Sequence, residues 1–128
     1  MSSDKVFLQR AIELAKLGGE LVEPNPQVGA VVVKDGEIVG EGWHEECGGP
    51  HAEVNALNAA GEKASGATLY VSLEPCNHHG RTPPCTELIV ERKVKRVVFA
   101  KKDLNSEVKG SGEEYLREKG ILVECFQG

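Results

Sequence analysis

His51 and Glu53 stand two positions apart in Pro50-His51-Ala52-Glu53, directly after Gly48-Gly49. A second stretch, Glu74-Pro75-Cys76-Asn77-His78-His79-Gly80-Arg81-Thr82-Pro83-Pro84-Cys85, sets two thiols among residues that force turns. One imidazole and two thiolates make three ligands. Three protein ligands with an open fourth position are how a catalytic zinc is held, whereas structural zinc sites close with four. Zinc lowers the pKa of a water in the open position to about 7, so hydroxide is at hand at neutral pH. Glu53 would sit beside that water and move protons without binding the metal. The chemistry implied is hydrolytic attack on an electrophilic carbon.

A histidine two residues before a glutamate, followed by Pro-Cys-x-x-Cys, is the short signature of zinc deaminases. Here the position where that spacing expects the second thiol is His79, and the next cysteine is Cys85. Two ligand sets are therefore open, His51/Cys76/Cys85 and His51/Cys76/His79. Residue chemistry favours Cys85, which follows Pro83-Pro84 and opens an apolar run from Leu88 to Val90. A cysteine in a first helical turn faces the positive end of the helix dipole, which favours its thiolate. Cys76, directly after Pro75, is similarly placed. Cys47 and Cys125 read as small buried hydrophobes, the common fate of a free cysteine.

Taken together, the two stretches closely resemble the deaminase domain of the bifunctional riboflavin-biosynthesis deaminase/reductase family. The resemblance runs from about Phe7 to Val123, and the long insert between Cys76 and Cys85 is its specific mark. It implies a cytidine-deaminase-like α/β/α sandwich, Cys85 as the third zinc ligand beside His51 and Cys76, and Glu53 as the proton shuttle. It implies as substrate the diaminopyrimidinone ribosylamino 5′-phosphate of riboflavin biosynthesis, converted to the aminouracil with release of ammonia. By the same resemblance Asn25 and His44 lie near the pyrimidine and ribosylamino parts, and Arg81 meets the phosphate. Asp103 and Asn105 fall where the family places further contacts. On residue chemistry alone four of these are plainer: Asn25 a stiff turn before a strand, His44 and Arg81 surface groups, Asp103 a cap.

Those residues need a frame, and the rest of the chain reads as one. The 128 residues fit a single domain, 1–128, with enough length for a core. Apolar residues recur at helical spacing from Val6 to Leu17, behind an Asp4 cap and ahead of Gly18-Gly19. Glu23-Pro24-Asn25-Pro26 is held out of helical geometry by its prolines. Val28 to Lys34 and Glu37 to Trp43 are strands joined by Asp35-Gly36, a strong hairpin signal. A helix from His51 to Ala60 carries the first ligand and buries Val54, Leu57 and Ala60. Thr68 to Leu73 is a strand ending at the second ligand stretch, where open α/β sheets place their sites. A helix at Thr86–Glu91, a strand at Arg96–Ala100, a helix at Glu113–Lys119 and a strand at Ile121–Cys125 complete the chain. The pattern predicts an α/β fold: a three-layer α/β/α sandwich with a mixed sheet of about five strands and helices on both faces.

Net charge −5 and a sequence pI of about 5.4 argue against a polynucleotide partner, which needs a basic face. The one basic run, Arg92-Lys93-Val94-Lys95-Arg96 with Lys101-Lys102, reads as a solvated helix end and strand start. No apolar run reaches the roughly 20 residues of a membrane span, and Met1-Ser2-Ser3-Asp4-Lys5 lacks the layout of a signal peptide. Cysteines claimed by a metal motif fit a reducing, cytoplasmic compartment. A homo-oligomer, dimer or tetramer, is the expected assembly. Family members usually carry a reductase domain after the deaminase domain; these 128 residues hold neither that domain nor a nucleotide-binding fingerprint, as in a stand-alone deaminase or one domain of a longer protein.

Two rivals remain. A deaminase of cytidine, deoxycytidylate or tRNA adenosine is disfavoured by the long insert and the acidic charge. A zinc-stabilised binding module without chemistry is disfavoured by Glu53, since a structural site has no use for a carboxylate beside an open coordination position.

Overall fold

The computed structural model of the chain describes residues 2–17, 28–43, 52–72, 85–99 and 116–125. Helix α1 spans Ser2–Ala15, α2 Ala52–Ala60 and α3 Cys85–Glu91. The strands are β1 Gly29–Lys34, β2 Glu37–Trp43, β3 Thr68–Val71, β4 Arg96–Phe99 and β5 Leu122–Cys125. They form one sheet in the order β2-β1-β3-β4-β5. β1 is antiparallel to β2 and β3, while β3, β4 and β5 run parallel. The expected mixed five-stranded sheet is the one observed.

Alternation along the strands sorts side chains to two faces. Leu8, Ala11 and Leu14 of α1 close over Val31, Val33, Tyr70 and Val98. Ala52, Ala56, Leu57 and Ile89 from α2 and α3 cover Ala30, Val32, Leu69, Val71, Val97 and Phe99 on the other side. The sheet is thus the middle of three layers. Asp35 and Gly36 link β1 to β2 with φ of 53° and 80°, the paired positive values of a primed hairpin turn.

Three sequence expectations need correcting. Asp4 does not cap α1, which already begins at Ser2. Its carboxylate instead accepts two hydrogen bonds from Arg96, at 3.1 and 2.8 Å, and one from the Tyr70 hydroxyl at 2.7 Å. A local cap has yielded to a long-range charge pair that ties α1 to β3 and β4. The buried side of α2 is Ala52, Glu53, Ala56, Leu57 and Ala60, with Val54 only half-buried. Small residues are needed there because α2 lies on bare backbone of β2. A Cβ on Gly40 would come within 2.5 Å of the Ala56 carbonyl oxygen, and one on Gly42 within 2.5 Å of the Ala56 nitrogen. Nor is the basic run simply solvated. Arg92 donates to the Leu57 carbonyl and Asn58 Oδ1, and Arg96 also meets Glu124 at 2.8 Å, so two of its cations are spent inside the fold.

Candidate active site at the strand ends

The topology gathers one end of the sheet. β2 finishes at Trp43, which lies opposite Gly29, the first residue of β1. Gly29 in turn bonds with Ser72, just past the end of β3. α2 runs back along β2, with Asn55 and Ala56 against Gly42 and Ala60 against Gly40, so its N-terminal turn lies beyond the end of β2. Because α3 is the crossover between parallel β3 and β4, its first residue belongs to the same end. Glu53, Ser72 and Cys85 are therefore brought to one edge of the molecule.

Glu53 is the unusual member. It is 3 % exposed, in the first turn of a helix whose other buried residues are alanine and leucine. Among the described residues only Glu53 and Ser72 are buried polar or charged groups. Burying a carboxylate opposes folding unless charge or hydrogen bonds meet it, and core packing would be served better by alanine. The helix N-terminus favours negative charge at this position. Such a group suits proton transfer away from bulk water.

Asn55, two residues on, donates from Nδ2 to the Trp43 carbonyl at 2.8 Å and so fastens α2 to the end of β2. Neither Asn55 nor Ser72 stood out in the sequence. The available signals were a polar residue within the alanine-rich helix and a hydroxyl closing an apolar strand.

Cys85 opens α3, one residue earlier than the expected helix start. His51, Cys76 and the alternative ligand His79 lie outside the described residues, as do Asn25, His44, Arg81, Asp103, Asn105 and Cys47. Among the described residues no helix is long and apolar enough to cross a membrane.

Similarity to known proteins shows the family. Residues 1–101 match the family described as the cytidine and deoxycytidylate deaminase zinc-binding region, and the chain belongs to that family of hydrolytic enzymes. It is 53 % identical over 121 residues to the diaminohydroxyphosphoribosylamino-pyrimidine deaminase of Buchnera aphidicola subsp. Schizaphis graminum, covering 94 % of this chain and 82 % of that protein. The riboflavin biosynthesis protein RibD of Escherichia coli K12 is 55 % identical over 120 residues, 94 % of this chain but 33 % of that one. The solved RibD of Acinetobacter baumannii superposes with a TM-score of 0.94 at 54 % identity, covering 97 % of this chain and 35 % of that chain. The chain thus spans most of the first relative and about a third of the other two.

Proposed function

We propose that this chain hydrolyses the exocyclic amine of 2,5-diamino-6-(5-phosphoribosylamino)pyrimidin-4(3H)-one, releasing ammonia and 5-amino-6-(5-phosphoribosylamino)uracil in riboflavin biosynthesis. The observation that carries the reading is Glu53, buried at 3 % in the first turn of α2, at the end of the sheet where the crossover helix α3 begins with Cys85. The names of relatives above 50 % identity support the choice of substrate.

The donor set fits zinc: one imidazole directly before α2, one thiol four positions after Ser72, and one at the head of α3. His51, Cys76 and Cys85 would hold it. When bound, the metal supplies a Lewis acid that lets water be deprotonated near neutral pH. Glu53 then takes a proton from the attacking water, delivers it to the ring nitrogen beside the reacting carbon, and passes one to the departing amine. The balance is water plus aminopyrimidine giving pyrimidinone plus ammonia. Asn25 and His44 would orient the ring and ribosylamino group, Arg81 would grip the phosphate with its planar fork, and Asp103 and Asn105 would add polar contacts. The working form is expected to be a cytoplasmic homo-oligomer acting on a small molecule, with no nucleic-acid or membrane partner.

A substrate panel tests this. Ammonia release is measured on the phosphorylated diaminopyrimidine, cytidine, deoxycytidylate and a tRNA anticodon stem. Turnover of the first alone supports the proposal, and preference for any other overturns the substrate.

A further inference from the structure

Ser72 occupies a rung of the β1–β3 ladder that is half main chain and half side chain. The ladder pairs Ala30 with Val71, Val31 with Tyr70, Val32 with Leu69 and Val33 with Thr68. The next antiparallel pair is Gly29 with Ser72. In a hydrogen-bonded pair of this kind the two residues exchange both N–H···O=C bonds. Here the Ser72 amide donates to the Gly29 carbonyl at 3.0 Å as the ladder requires, but the Gly29 amide donates to Ser72 Oγ at 3.0 Å. The hydroxyl has taken the place of the main-chain acceptor.

That exchange has a geometrical consequence. A strand whose own carbonyl must serve its neighbour is bound to stay in the sheet. With the hydroxyl serving instead, the main chain can turn out of the sheet at Ser72 while the Gly29 amide keeps a partner. The amide needs one, because α1 seals this spot. A Cβ on Gly29 would fall 2.0 Å from the Ala11 carbonyl oxygen, leaving no room for a side chain between strand and helix. Ser72 itself is only 8 % exposed. Cys76 stands four positions further on, and Gly29 is the first strand residue after the stretch holding Asn25. We infer that Ser72 is a positioning residue: its hydroxyl fixes the point at which β3 ends its pairing with β1, and through that how firmly the ligand stretch that follows in the sequence holds zinc. The inference rests on the zinc-site reading above.

The test compares Ser72→Thr with Ser72→Val, side chains matched in shape but differing by the hydroxyl, and adds Ser72→Ala, all in the zinc-loaded full chain. Zinc release to a chromogenic chelator, kcat and KM, and exchange of the Gly29 amide are measured well below the unfolding temperature. Ser72→Val and Ser72→Ala are expected to release zinc at least ten-fold faster, with kcat falling more than KM rises and faster Gly29 exchange. Ser72→Thr should stay within about two-fold of the parent. Parental zinc release in a folded Ser72→Val or Ser72→Ala protein overturns the inference, even if its melting temperature falls. If the parent chain itself holds no zinc, the site reading has failed and the Gly29 amide decides. Exchange quickened without the hydroxyl and restored by threonine supports the role of Ser72 in the rung; unchanged exchange overturns it.

Discussion

Asn55 Nδ2 lies 2.8 Å from the Trp43 carbonyl, joining α2 to the last residue of β2. In the sequence Asn55 follows His51 by four residues, and Trp43 directly precedes His44. Replacing Asn55 with leucine removes the donor and leaves a partly buried carbonyl unpaired, a loss of about 1–3 kcal/mol. Thermal unfolding of Asn55→Leu is expected several degrees below the parent. An unchanged melting temperature would mean that the contact contributes nothing to the join.

Asp4, Tyr70 and Arg96 make stability depend on pH. The Arg96 hydrogen bond, aided by the one from Tyr70 and opposed by burial, holds the Asp4 carboxyl below its usual 3.8. A lowered carboxylate contributes stability that is present above the unfolded value and lost as pH falls through the folded one. Burial first, then the bond to Asp4, pushes the Tyr70 phenol up from 10.0 to about 12. A raised pKa contributes stability present below 10 and lost as pH climbs towards about 12. In urea unfolding across pH, Asp4→Asn is expected to be less stable than the parent near neutrality, with the gap closing below pH 3.8. A gap that does not shrink in acid would remove Asp4 from this role.

The third metal ligand separates two readings of the insert. Cys85→Ala is expected to lose tight zinc retention, since two protein ligands no longer make the catalytic set, whereas His79→Ala should keep about one zinc per chain. Metal analysis after dialysis against a chelator gives the answer. The reverse result would assign the position to His79.

Arg81 bears on the substrate class. A charged hydrogen bond is worth roughly 1.5–3 kcal/mol, so Arg81→Ala is expected to lower kcat/KM ten-fold or more on the phosphorylated pyrimidine. On the dephosphorylated analogue the same change should matter little. Equal losses on both substrates would show that Arg81 supports its loop, not a phosphate.

The frame was legible where local rules and tertiary structure agree. Asp35-Gly36 demands a hairpin whatever surrounds it, and β-branched runs such as Val31-Val32-Val33 become the expected strands. Reading failed where a distant partner outbid a local one. Asp4 looked like a cap because nothing near it in sequence reveals Arg96, 92 positions away. Val54 looked buried by its chemistry, but the close approach of α2 to Gly40 and Gly42 gives that side to alanines and to Glu53. The hydroxyl of Ser72 carried no signal, since only the sheet register sets Gly29 opposite it. At the site, residue types and spacing suggested the metal chemistry, while the depth of Glu53 emerged only from the packing of α2.

The central claim is that buried Glu53 moves the protons of a hydrolytic deamination. Its most direct test is the rate of ammonia release from the phosphorylated diaminopyrimidine by zinc-loaded Glu53→Gln beside the parent. An amide of the same shape cannot shuttle protons, and general acid–base transfer contributes about 10²–10⁴-fold. Full zinc content, an intact fold and turnover reduced by at least about 100-fold are expected. Near-parental turnover in a zinc-loaded Glu53→Gln protein would contradict the claim.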